Sequence, residues 1–227
     1  MNNPKEQNRV SASCVQLTRL RPFDACKTAV LVVDVQNSEI VPEYECERPE
    51  YWAAVHRRAL PNQKRVIDAA RNAGAEIIYT VIESLTADGR DRSLDHKLSR
   101  ILVPKGSPLA QVIWQVQPAP DDIVLPKTSS GVFNSTTLDY VLRNLGIETV
   151  VTVGFLTDQC VDMAVRDGAD RGYYMVCIGD ACAAYTDDAH ETALDAFGGY
   201  CRRMSTNEFV AEISSSMPVR ASTRAPG

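Results

Sequence analysis

Apolar positions along this chain fall into two alternating periods. Short, continuous runs rich in β-branched residues occur at Thr28–Asp34 (TAVLVVD), at AEIIYTVIE ending near Glu83, at IVLP after Asp121 and Asp122, at Thr149–Val153 and at Tyr173–Ile178. Runs of that length and composition read as strands covered on both faces, hence a parallel sheet. A further short strand is expected at Tyr200–Met204. Between the runs the period becomes helical. WAAVHRRAL follows Tyr51, Pro61 suits the first turn of a new helix, and Val66, Ile67, Ala70 and Ala73 form a stripe ended by Gly74.

The same spacing predicts a helix with Leu138, Val141, Leu142 and Leu145 on one face, capped by Ser135 or Thr136. Another is expected from Cys160, a third from Asp187 to about Phe197 capped by Thr186, and a last one beginning at Ser205-Thr206-Asn207. Residues 107–117 suggest a short helix. The polar stretch Ser84–Arg100 reads as a solvated loop, with a lid or an oligomer contact as the functional alternative. Alternating strands and helices without hairpin signals give an α/β fold: one doubly wound, Rossmann-like sheet of about six parallel strands with helices on both faces. Residues 1–22 read as a flexible arm, 23–213 as the domain and 214–227 as a disordered tail.

Composition bounds the function. The net charge of −5 with no Lys/Arg cluster argues against nucleic acid as a partner. No apolar run approaches the roughly 20 residues of a membrane span, and no apolar h-region marks the N-terminus. Seven scattered cysteines, odd in number and without a CxxC pair, read as free thiols in a reducing compartment, so a cytoplasmic protein is expected.

Carboxyl ends of parallel strands are where α/β proteins place their sites. The residues delivered there are Asp34, Glu83, Lys127 and, after the glycine turn GFLTDQ, Cys160. A thiol at a helix start is favoured as a thiolate by unpaired N–H groups and the helix dipole, although a small buried cysteine is the plainer reading. Likewise Asp34 could cap a turn and Lys127 could be a surface lysine. Histidine is scarce: His56 and His190 fall in predicted helices and His96 in a charged loop, which disfavours a Cys-His dyad. A cysteine nucleophile could be activated by a carboxylate that takes its proton, with a lysine beside it stabilising the thiolate, and the turn offers N–H groups to an oxyanion. That logic points to acyl transfer from an amide.

The order VVDVQN, LPKTSSGVFNSTTLDYVLRNLGI, VGFLTDQCVDMAVRDGADRGY resembles the isochorismatase-like cysteine hydrolase family, from about Thr28 to about Ile213. The 33-residue separation of Lys127 and Cys160 is similar to that of its ureido and biuret amidohydrolases. The resemblance implies Asp34 as base, Lys127 as electrostatic partner and Cys160 as nucleophile. It further implies a cis peptide at Phe155-Leu156, with an oxyanion hole from the N–H groups of Leu156 and Cys160, and a homodimer or homotetramer. Cys160 favours C–N hydrolysis over vinyl-ether cleavage of the isochorismatase type. The lack of an Asp-x-His metal motif disfavours a metal-dependent nicotinamidase, so neither metal nor cofactor is expected. A non-catalytic redox or binding protein is the alternative from another class.

Polar residues expected at the pocket mouth are Gln36, Asn37, Glu83, Asn134 and Thr157, with Phe133 closing over a small linear ureido or carbamoyl substrate such as a biuret-, triuret- or ureidoacrylate-like compound. Arg90 and Arg92 could recognise a carboxylate if their loop folds inward.

Overall fold

The computed structural model describes residues 17–216. Its sheet has six strands, β1 (Thr28–Val33), β2 (Glu76–Ile82), β3 (Ile123–Lys127), β4 (Thr149–Phe155), β5 (Tyr174–Ala183) and β6 (Arg202–Met204). All pair in parallel, in the order β3-β2-β1-β4-β5-β6. The chain winds outward from β1 to one edge and then, from β4, to the other. The order therefore reverses between β1 and β4, which opens a crevice at their carboxyl ends.

Helices among the described residues are α1 (Tyr44–Glu47), α2 (Pro49–Ala54), α3 (Leu60–Ala73), α4 (Leu94–Leu98), α5 (Val132–Ser135), α6 (Leu138–Asn144), α7 (Asp162–Asp170), α8 (Asp187–Ala196) and α9 (Thr206–Ser215). Alternation along β1 divides the core. Val30 and Val32 pack with Tyr51, Val55, Val66, Ala70, Phe209 and Ile213 from the α2, α3 and α9 side. Ala29, Leu31 and Val33 pack with Leu138, Leu142, Val161, Val165, Leu194 and Phe197 from the opposite side. The fold is the doubly wound α/β sheet that the hydrophobic runs imply.

Several local expectations are corrected. Pro61 does stand in the first turn of α3, but α2 leads into it directly through a π turn (Val55–Ala59). Residues 107–117 form two 3-10 turns, Pro108–Ala110 and Trp114–Val116, around an isolated bridge from Gln36 to Val112. A backbone partner at the end of β1 wins there over weak helical spacing. Val132–Ser135 is a helical turn and not loop, and Leu145 is 40% exposed because α6 ends before it.

Cys160 does not open a helix; it sits in a π turn, Thr157–Val161, that precedes α7. Ser214 and Ser215, expected in the tail, complete α9, whose start is locked by a capping box between Ser205 and Glu208. Residues 217–227 of the tail and 1–16 of the arm lie outside the described residues; within the arm, Arg21 pairs with Glu148 at 2.7 Å and covers the Tyr174 ring.

The largest correction concerns Ser84–Arg100. It is a folded flap. Asp91 accepts the N–H groups of Leu85 (2.7 Å) and Thr86 (3.1 Å), Ser93 caps α4, and the Ser93 N–H donates to Thr128 O at 2.9 Å behind the end of β3. The result places His96 at 0% exposure over the carboxyl end of the sheet. Charge density in the sequence concealed how many of these polar groups satisfy one another.

Candidate active site

Three strands converge on one buried cluster. Asp34 follows β1 with φ of 54°, a left-handed conformation that aspartate adopts more readily than most residues. Its N–H donates to Thr80 O at 3.1 Å, and Oδ1 accepts from Thr80 Oγ1 at 2.9 Å, so β2 fixes the carboxylate from behind. Lys127 closes β3 two strands away, in register with Ile82, and its side chain returns across the strand ends. Nζ lies 2.9 Å from Asp34 Oδ2 and 3.4 Å from Cys160 Sγ, and also donates to Ser129 O at 2.9 Å. Both charges are sealed: Lys127 is 0% and Asp34 1% exposed.

β4 delivers Cys160. At Gly154 φ is 130°, and a Cβ there would meet Val33 O at 2.1 Å, so only glycine lets β4 lie this close to the end of β1. The chain then passes through the cis Phe155–Leu156 peptide into the π turn bearing Cys160. Among the described residues the Leu156 N–H donates to no protein acceptor.

The electrostatics differ from a helix-start thiolate. Burial first, then the negative charge of Asp34, pushes the Cys160 thiol up to about 12, against the opposing pull of Lys127. The resting sulfur is a thiol. Burial works to lower the Lys127 pKa, but the facing Asp34 and Cys160 overcome it and hold the ammonium above its ordinary value. A fixed cation thus sits beside a protonated nucleophile and a carboxylate whose Oδ2 makes no hydrogen bond of good geometry apart from that ion contact. Such a carboxylate can receive the thiol proton.

Asp34, Leu156 and Cys160 line a cleft of about 790 Å³. The polar residues expected at its mouth do not line it. Gln36 is fully buried and bridges strand ends, its Nε2 donating to Ile82 O (3.0 Å) and Leu109 O (3.1 Å). Asn37 donates to Pro108 O, Glu83 accepts from the Gly106 N–H at 2.7 Å, and the Thr157 hydroxyl pairs with His190 Nδ1 at 2.7 Å. Phe133 stacks on Tyr173 in the core, and Asn134 is on the surface. Backbone groups at strand ends need partners, and these side chains supply them. Arg90 pairs with Asp88, and Arg92 donates to Gly89 O and Ile101 O, so both hold the flap together.

In their place the cleft presents Glu39, Tyr44, Arg48, Tyr185, His96 and Arg100. Glu39 is pushed up to about 7, chiefly by burial and then by Asp34. His96 is lowered by burial and by Lys127; its Nε2 lies 3.4 Å from Ser130 Oγ, its buried Nδ1 has no partner, and it makes no contact with Cys160 that would form a dyad. The residues at the strand ends themselves gave no sign of these, because they lie further along the segment after β1, in the flap and in the turn after β5. The only usable signal was the length of the polar stretch around His96. Among the described residues no group of three or more His, Cys, Asp or Glu side chains could hold a metal ion, and no helix is long and apolar enough to cross a membrane.

The class follows from this sheet and this cluster of carboxylate, ammonium and thiol. The isochorismatase domain family matches residues 28–208, and the chain belongs to that family. It is 30% identical to a ureidoacrylate amidohydrolase RutB of Rhizobium rhizogenes, over 86% of this chain and 87% of that one. Identity is also 30% to the same enzyme of Agrobacterium fabrum, over 85% and 92% of the two chains. Among solved structures it resembles a cysteine hydrolase from Pseudomonas syringae pv. phaseolicola (TM-score 0.77, 25% identity, covering 86% and 96%). The N-carbamoylsarcosine amidase of Thermoplasma acidophilum is also similar (TM-score 0.63, 26% identity, covering 80% and 97%). The chain is a hydrolase acting on C–N bonds.

Proposed function

We propose that the protein removes ammonia from a small linear ureido or carbamoyl compound through a covalent intermediate on Cys160. The observation that carries this reading is the sealed contact of Lys127 Nζ with both Asp34 Oδ2 (2.9 Å) and Cys160 Sγ (3.4 Å) beneath a cleft. Asp34 takes the Sγ proton as sulfur attacks the carbamoyl carbon, and Lys127 stabilises the developing thiolate. The N–H groups of Leu156 and Cys160 receive the oxyanion. Asp34 then returns the proton to the leaving nitrogen, ammonia departs, and an S-acyl enzyme remains. Water, deprotonated by Asp34, attacks that acyl carbon; sulfur leaves and recovers a proton, and the carbamic acid is released.

Support for the substrate class comes from the curated relatives, which are ureidoacrylate amidohydrolases, and from the similar N-carbamoylsarcosine amidase. The free thiols of the six described cysteines suit work in a reducing cytoplasm, and the family resemblance favours a homodimer or homotetramer needing no cofactor. Ammonia release from a panel of ureido compounds and primary amides, beside pyruvate release from an isochorismate-type ether, tests the reading. Turnover of ureido compounds, abolished in Cys160→Ser, is expected; pyruvate release from the ether that survives loss of the thiol would point to vinyl-ether hydrolysis instead.

A further inference from the structure

One wall of the cleft carries a cation that the reaction described above does not use. The Arg48 guanidinium carbon lies over two tyrosine rings, 3.6 Å from the Tyr185 centroid and 4.4 Å from that of Tyr44. These cation–π contacts hold the guanidinium in place. Its Nη1 is buried and has no acceptor among the described residues. A buried guanidinium N–H without an acceptor is costly, and the planar fork of arginine is matched by a carboxylate. Arg48, Tyr44 and Tyr185 all line the cleft that contains Cys160.

Glu39 also lines this cleft and feels the charges of Asp34, Lys127 and Arg48. Its carboxyl oxygens can accept N–H groups of a bound molecule. The cleft thus brings together a sulfur, an acceptor for N–H groups and a guanidinium whose Nη1 has no acceptor among the described residues.

Resting on the ureido reading above, we propose that Arg48 is the specificity-determining residue. Its guanidinium holds a carboxylate at the non-reacting end of a carbamoyl acid while the carbamoyl carbon lies at Cys160. Arg100 is the rival, since it also lines the cleft, but it is exposed at the rim, where solvent screens an ion pair.

The test compares N-carbamoyl-β-alanine with n-propylurea, which has a similar length but no carboxylate. kcat and KM for ammonia release are measured separately for the wild type, Arg48→Met, Arg48→Lys and Arg100→Gln. The wild type is expected to favour the carboxylate at least tenfold in KM. Arg48→Met should lose that advantage, Arg48→Lys should restore part of it, and Arg100→Gln should keep it. Equal KM for the two compounds in the wild type, or loss of the advantage in Arg100→Gln with retention in Arg48→Met, overturns the proposal.

Calorimetric binding of N-carbamoyl-β-alanine to Cys160→Ser, with and without Arg48→Met, separates this idea from the catalytic one. Absence of turnover with Arg48-dependent binding refutes the ureido reaction and leaves the carboxylate site standing. Binding insensitive to Arg48 refutes the site.

Discussion

Lys127 Nζ sits 2.9 Å from Asp34 Oδ2 with both residues buried, although β2 separates their strands in the sheet. Burying a lysine and an aspartate is costly unless each neutralises the other. The pair therefore acts as a unit, and breaking it leaves an uncompensated charge. Lys127→Met and Asp34→Asn are each expected to destabilise the fold by about 3–5 kcal/mol. The double variant should recover much of that loss in a denaturant-based mutant cycle, while all three lose at least about a thousandfold in kcat. Additive losses of stability would contradict the coupling.

The thiol makes a separate prediction. Because burial and Asp34 push Cys160 up to about 12, its reaction with iodoacetamide, followed by peptide mass mapping, should keep rising with pH beyond pH 9. Exposed Cys26 and Cys46, mapped in the same digests, report that the reagent is active. A plateau for Cys160 below pH 8 would indicate a resting thiolate.

Glu39 ties stability to pH. Its folded pKa of about 7 lies above the unfolded value, so the folded state binds more protons between about pH 4.5 and 7 and loses stability as pH rises through that window. Part of its surface remains open to the cleft, which screens the charge and limits the effect to about 1 kcal/mol. Glu39→Gln should therefore raise the melting temperature by about 2–4 °C at pH 8 and leave it nearly unchanged at pH 4.5. The opposite order would mean that Glu39 is stabilised as a carboxylate.

Thr80 supplies a milder perturbation. Thr80→Val removes the 2.9 Å bond to Asp34 Oδ1 while preserving shape, at a cost of about 1–3 kcal/mol of stability. If that bond aims the base, kcat should fall about tenfold with KM little changed. A selective rise in KM would assign Thr80 to substrate binding.

Much of this architecture was legible before the structure. Continuous β-branched runs marked the strands because both faces of a parallel sheet are buried, and the ends of those strands named Asp34, Lys127 and Cys160. The lining of the cleft was not legible. Gln36, Asn37, Glu83 and Thr157 follow strands, as functional residues do, yet their amides, carboxylate and hydroxyl are consumed by neighbouring groups. Glu39, Arg48 and His96 reach the cleft through tertiary folding of segments whose local sequence looks like solvated surface. The Ser84–Arg100 flap shows the same limit: its charges satisfy one another only once Asp91 and Ser93 have closed it.

The central claim is that Cys160 carries the acyl group. Rapid-quench intact-mass measurement during turnover of an accepted ureido substrate tests it most directly. The wild type is expected to show a transient adduct equal in mass to the substrate minus ammonia, mapped to Cys160 and absent from Cys160→Ser. Sustained ammonia release by Cys160→Ser, with no adduct on the wild type at any time, would contradict the account.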